Sequence, residues 1–155
     1  MPDLFTRTDV RETPSDTEVT ILSQVSTGAQ TIDVADGWVD ITGATITFKV
    51  SEKTTIAVFG NVQAEFPATI TDHGLGVRID RGGVVKVTRT TKHYFNVALA
   101  ANNKLNVPIQ YVETLNAGTY TIHLEAYGYE DGAGTKVTLP SGYAHLMILL
   151  DKVDV

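Results

Sequence analysis

Residues 116–128 read Asn-Ala-Gly-Thr-Tyr-Thr-Ile-His-Leu-Glu-Ala-Tyr-Gly. After the turn residues Asn116, Ala117 and Gly118, the side chains Tyr120, Ile122, Leu124 and Ala126 alternate with Thr119, Thr121, His123 and Glu125. A period of two puts the first set on one face of a strand and the second on the other. The stretch predicts a core strand with one dry face and a polar outer face. That outer face carries a histidine and a carboxylate two residues apart.

The same rhythm recurs along the chain. Thr occurs 22 times and Val 18 times in 155 residues, a bias that suits pleated surfaces and disfavours helices. Strands are expected at 18–25, 29–35, 44–50, 54–66 with a bend near Gly60, 75–80, 83–89, 93–99, 107–113, 119–127, 135–139 and 143–150. Turn residues separate them, including Thr27-Gly28, Asp36-Gly37, Arg81-Gly82-Gly83 and Gly132-Ala133-Gly134. Short strands at regular spacing predict an all-β antiparallel sandwich or barrel. Ser15-Asp16-Thr17-Glu18 has the form of a capping box, but Val19-Thr20-Ile21 is a poor helix former. Residues 1–17 are polar, hold Pro2 and Pro14 and lack alternation. We read them as an extended N-terminal arm, and 18–155 as a single β-sandwich domain.

Composition removes several function classes. A length of 155 residues suits one domain, and such a chain buries about 70% of its unfolded surface, enough for a core without staples. The chain has no cysteine, hence neither disulfides nor thiolate metal sites. No secretion signal, glycosylation acceptor or membrane-spanning apolar run is visible, which agrees with a protein made in a cytoplasm. The formal net charge is −6, and the nearest basic group, Arg78, Arg81, Lys86, Arg89 and Lys92, is interrupted by Asp80. Phosphate backbones want an uninterrupted basic patch, so neither nucleic acid nor membrane is an expected partner.

The candidate chemical groups read as structural. His73, His93, His123 and His145 show no His-x-His or His-x-x-x-His spacing, so no metal site is expected. No Gly-x-Ser-x-Gly is present, and Ser141 sits in a turn. Gly132-Ala-Gly-Thr-Lys136 lacks the phosphate-loop spacing and is placed in a hairpin. Glu130, Asp131 and Asp80 lack the calcium-loop pattern. Trp38 has three readings: a cover for one end of the core, an interface anchor or a sugar platform. We therefore expect no catalytic residue and no cofactor.

One segment breaks the alternation. Leu146-Met147-Ile148-Leu149-Leu150 is apolar on both faces, and Tyr94, Phe95, Ile109 and Tyr111 add apolar positions elsewhere. A strand apolar on both faces needs cover from another layer or a partner. Met147 and Leu149 are thus candidate intersubunit or virion contacts. In the arm, Leu4, Phe5 and Val10 are the apolar anchors for the same kind of contact.

The run Ala117–Ala126, a Gly-rich hairpin, Thr135–Leu139 and the apolar strand Tyr143–Leu150 resembles the C-terminal half of jelly-roll domains in tailed-bacteriophage structural proteins. Head-decoration and tail-fibre proteins are of this type. It is more distantly similar to the C1q/tumour-necrosis-factor jelly roll. The resemblance covers roughly residues 44–150. It implies a jelly-roll-like sandwich in a non-enzymatic virion part, a homotrimer assembled in the host cytoplasm. Its partner would be a major capsid or tail protein, which it stabilises or decorates. The alternative is a carbohydrate- or receptor-binding module of a fibre or spike.

Overall fold

The computed structural model describes residues 19–33, 36–66, 72–94, 103–130 and 136–151. The arm, with Leu4, Phe5 and Val10, lies outside the described residues, as do 95–99 of the strand expected at 93–99. Ten strands are present among the described residues: β1 Val19–Val25, β2 Gln30–Asp33, β3 Val39–Val50, β4 Thr54–Phe66, β5 Asp72–Arg81, β6 Val84–Tyr94, β7 Asn103–Leu115, β8 Gly118–Glu130, β9 Lys136–Leu139 and β10 Ala144–Asp151. All pairings are antiparallel. No helix among the described residues is long and apolar enough to cross a membrane.

The strands make two layers. One holds β1, β10, β4 and β7 side by side, with β2 and β9 continuing the lines of β1 and β10. The other is ordered β3-β8-β5-β6. Successive strands mostly cross from one layer to the other, the connectivity of a jelly roll. Among the described strands, β5 and β6 alone form a tight hairpin. Its loop is Gly82-Gly83, both at positive φ, between the paired residues Arg81 and Val84; a two-residue loop of this type requires φ > 0 at both positions.

Several expectations need correction. Residues 93 and 94 belong to β6 rather than to a new strand. The segment between β8 and β9 joins different sheets, so it is not a hairpin. β3 begins at Val39, five residues early, because a bulge between Asp40 and Thr45 breaks the alternation that marks a strand. Gly60 does not interrupt β4, whose register with β7 and β10 runs through it. A Cβ at Gly60 would lie 2.6 Å from Leu124 Cδ2 of the opposite sheet and 2.9 Å from Ile109. The glycine lets the sheets approach here.

The core fills from both inner faces, with Ile122 and Leu124 of β8 against Val58 of β4 and Leu146 and Ile148 of β10, all fully buried. Each such side chain contributes about 1.5–3 kcal/mol by leaving water. Ile109 and part-buried Tyr111 also pack on this core, so they are not partner contacts. Ser26 and Ser141 stitch the break in the β1–β2 and β9–β10 lines. The Ser26 hydroxyl accepts from the N–H groups of Gly142 and Ala144, both at 3.2 Å, and Ser141 Oγ accepts from Gly28 N–H at 3.0 Å.

Candidate functional site: two outer faces

The β8 strand that opened the sequence reading has the expected inner face, and its outer face runs from exposed Thr119 through half-buried Thr121 and His123 to a buried Glu125. Glu125 is only 8% exposed. Register sets it beside Arg78 of β5 and Asp40 of β3, while His123 faces Asp80 and Thr45. The Arg78 guanidinium grips both oxygens of Glu125, through Nε and, at 2.9 Å, through Nη2. A bidentate, charge-assisted pair of this kind is the strong form of ion pair. The Glu125 hydrogen bond raises the Arg78 pKa, with burial opposing it. Arg78 also lies over the Trp38 ring, 4.7 Å from its centroid, and Trp38 packs on Tyr127 at 5.7 Å. Trp38 therefore covers an outer face of the sandwich, not one end of its core.

His123 Nε2 stands 3.4 Å from Asp40 and 3.6 Å from Asp80. Asp80 is buried and accepts the Gly83 N–H at 2.7 Å, fixing the β5–β6 turn. Donor atoms of Asp40, His123 and Glu125 lie within 4.8 Å of one another. Because Glu125 already gives both oxygens to Arg78, the group is better suited to an ion network than to holding a metal. Glu125 was the residue whose burial the sequence hid: its alternation marks the outer face, but only the neighbouring strands supply the cover.

A second ion cluster joins the layers. Glu113 of β7 meets Arg81 Nε at 2.7 Å, Lys86 Nζ at 3.0 Å and the Tyr111 hydroxyl at 3.1 Å. Burial, then the Glu113 charge, push the Tyr111 phenol above its ordinary range. Arg89 donates to the Pro108 carbonyl at 3.0 Å. The basic residues of the sequence are thus spread over separate sites, and Arg78, Arg81 and Lys86 are ion-paired. The side chains of Lys92, His73, His93 and Glu130, and residues 131–135, lie outside the description.

The other outer face is of a different kind. Across β1, β10, β4 and β7, Ile21, Leu149, Ala57 and Val112 stand in register, followed by Ser23, Met147, Phe59 and Gln110, then Val25, His145, Asn61 and Pro108. These twelve positions include no Lys, Arg, Asp or Glu. Met147 and Leu149 point outward here, part-buried, whereas Leu146, Ile148 and Leu150 point into the core. The doubly apolar strand is therefore resolved into a core face and an uncharged outer face. Ile21 is 62% and Val112 68% exposed.

No protein-family model matches the chain, and no curated protein matches it. Solved structures do. A chain in the structure of the infectious bursal disease virus Gx strain superposes with a TM-score of 0.52 at 13% identity, over 88% of this chain and 32% of that one. Eiger TNF from S. frugiperda gives 0.52 at 9% identity, over 88% and 94%. A mutant VP2 protein of infectious bursal disease virus, in derived T=1 particles, gives 0.43 at 12% identity, over 86% and 36%. The present chain spans about a third of the bursal disease virus chain. At these identities the likeness is one of fold: a viral and TNF-like jelly roll.

Proposed function

We propose that this protein is a non-enzymatic virion structural subunit. It forms a homotrimer and stabilises or decorates a phage capsid, or part of a tail, with residues 1–17 reaching a major capsid or tail protein. One observation carries the reading: the uncharged stretch of twelve positions on the outer face of the β1-β10-β4-β7 sheet, ending before the Glu65–Lys104 ion pair, with Met147 and Leu149 at its centre. A monomer that keeps such a face in water invites association, and native sheets normally place charges on exposed edges to prevent it. The virus and TNF jelly rolls support the choice of class at the level of fold. Sedimentation at micromolar concentration should give three times the 16.7 kDa chain mass. A clean monomer overturns the reading.

The second reading, a carbohydrate-binding module of a fibre or spike, rests on Trp38 and Tyr127 beside exposed Asp40. Arg78 already occupies the Trp38 ring, which weakens it. A ligand-dependent rise in melting temperature on a glycan panel would revive it.

A further inference from the structure

Two edge strands, β1 and β6, have no fully buried side chain among those described. They are held in different ways. A two-residue turn joins β6 to β5, Lys86 Nζ meets Glu113 of β7 at 3.0 Å, and Arg89 donates to the Pro108 carbonyl at 3.0 Å. The seven residues of β1, Val-Thr-Ile-Leu-Ser-Gln-Val, carry no charge, and their ladder runs along β10. Leu22 is the β1 side chain that packs on the core, and it is only part-buried. Val19, Ile21 and Val25 are 51%, 62% and 39% exposed. A hollow of about 370 Å³, lined by Thr20 and Leu22 on one side and by Thr47 and Lys49 of β3 on the other, separates β1 from the opposite layer. Strands with few buried contacts are the ones that open first. The fixed part of the chain begins at Ser26, which is buried. Its N–H donates to the Ala144 carbonyl at 2.8 Å and its carbonyl accepts from Gly142 N–H at 3.0 Å, while Thr27 N–H reaches the Thr42 carbonyl at 3.0 Å. The boundary between a detachable strand and an anchored one therefore falls at Val25.

We propose that β1 is an exchangeable strand: in the assembled protein, β1 of one copy occupies the β10 edge of the next. The inference rests on the homotrimer reading and names the element that joins its subunits. The structure shows what the β10 edge accepts, namely residues 19–25, antiparallel, with Ser23 opposite Met147. The same strand from a second copy makes the same ladder, so exchange conserves the contacts, and trading an identical element is a low-cost route to assembly. An opened β1 leaves β10 with a bare edge, and a bare edge is a template for another strand. Each copy gives one strand and takes one, so the exchange closes into a ring when the rotation allows. Because Ser26 stays fixed to the turn before β10, the strand pivots at Val25. One residue spans at most about 3.6 Å, so the Gly142–Ala144 turns of joined copies lie side by side.

The chain has no cysteine, so an introduced pair can report the exchange. Directly opposite residues of an antiparallel pair have Cα atoms about 4.5–5.5 Å apart, within disulfide range. A chain carrying both Ser23→Cys and Met147→Cys is oxidised and run on a denaturing gel without reductant. Exchange puts the two thiols of each bond in different chains, so covalent dimers and trimers should appear. If the gel shows single chains joined internally while sedimentation still gives the oligomer, the exchange is overturned and the trimer reading stands. Covalent dimer from Ser23→Cys alone or Met147→Cys alone would show two outer faces stacked on each other and overturn the exchange as the source of the link. Should the double variant fail to fold, Ile21→Cys with Leu149→Cys, opposite each other in the same ladder, repeats the test. A monomeric wild-type protein overturns the trimer reading itself, and the exchange with it.

Discussion

The two outer faces of this sandwich solve the same problem in opposite ways. The β3-β8-β5-β6 face spends five ionisable side chains, Asp40, Arg78, Asp80, His123 and Glu125, on a network that closes on itself. The β1-β10-β4-β7 face leaves Ile21, Leu149, Ala57 and Val112 in one uncharged row. Among its described residues, the first face pairs these groups with one another inside the subunit. The second has aliphatic surface in water that only another surface can cover. The difference separates the face that holds the subunit together from the face on which the proposed association would act, and it can be broken experimentally.

The largest expected effect is on the ionic face. Arg78→Ala leaves Glu125, whose side chain is 10% exposed, without its cation. Breaking a buried pair from one side costs about 3 kcal/mol or more. Arg78→Met together with Glu125→Leu removes both charges and should recover most of that loss. Urea unfolding of the three proteins measures it. A cost below about 1 kcal/mol for Arg78→Ala would mean that the network is ornamental and the contrast between the faces is false.

A smaller effect belongs to the clasp between the layers. An unfolded tyrosine ionises near its ordinary value of 10.0, while burial and Glu113 keep the folded Tyr111 phenol protonated above that. At higher pH the unfolded state therefore holds fewer protons than the native state. Stability is fully present below pH 10 and falls as the pH rises above it, by at most about 1.4 kcal/mol per unit for this one group. Urea midpoints between pH 9 and 11 should decline less steeply for Tyr111→Phe than for the wild type. Equal slopes would remove Tyr111 from the account.

Much of the fold was legible because it rests on local rules. Ile122 and Leu124 announce an inner face by alternation, and Gly82-Gly83 announces a turn by the φ values glycine permits. Met147 and Leu149 stood out because they break that alternation, and the structure gives them an uncharged outer face. What the sequence hid is non-local. Turn residues mark a sheet crossing and a hairpin alike, so the link after β8 was misread. Asp40, His123 and Glu125 share a site only because β3 and β8, distant in the chain, become neighbours, as at Thr47 and Thr121, 74 residues apart. The bulge that displaces β3 needs Gly43 at positive φ, a conformational demand that alternation cannot display. Glu125 reads as exposed until Arg78 is placed beside it.

The smallest effect on folding falls on the apolar face, and it sharpens the comparison most. Val112 lies on an edge strand and two-thirds of it faces water. Replacing it with lysine removes little buried contact and exposes a charge already in solvent, so the isolated subunit should change by no more than about 0.5 kcal/mol. The assembled protein should behave differently. Folding coupled to association makes the melting temperature rise with protein concentration, and a lysine on the contacting edge weakens that association by burying an unpaired charge. Wild-type protein should therefore melt higher at higher concentration, and Val112→Lys should show a smaller rise or none. If both melt alike at every concentration, the edge is not a subunit contact. If Val112→Lys is destabilised by several kcal/mol even when dilute, the side chain supports its own fold, and the apolar face differs less from the ionic one than the geometry indicates.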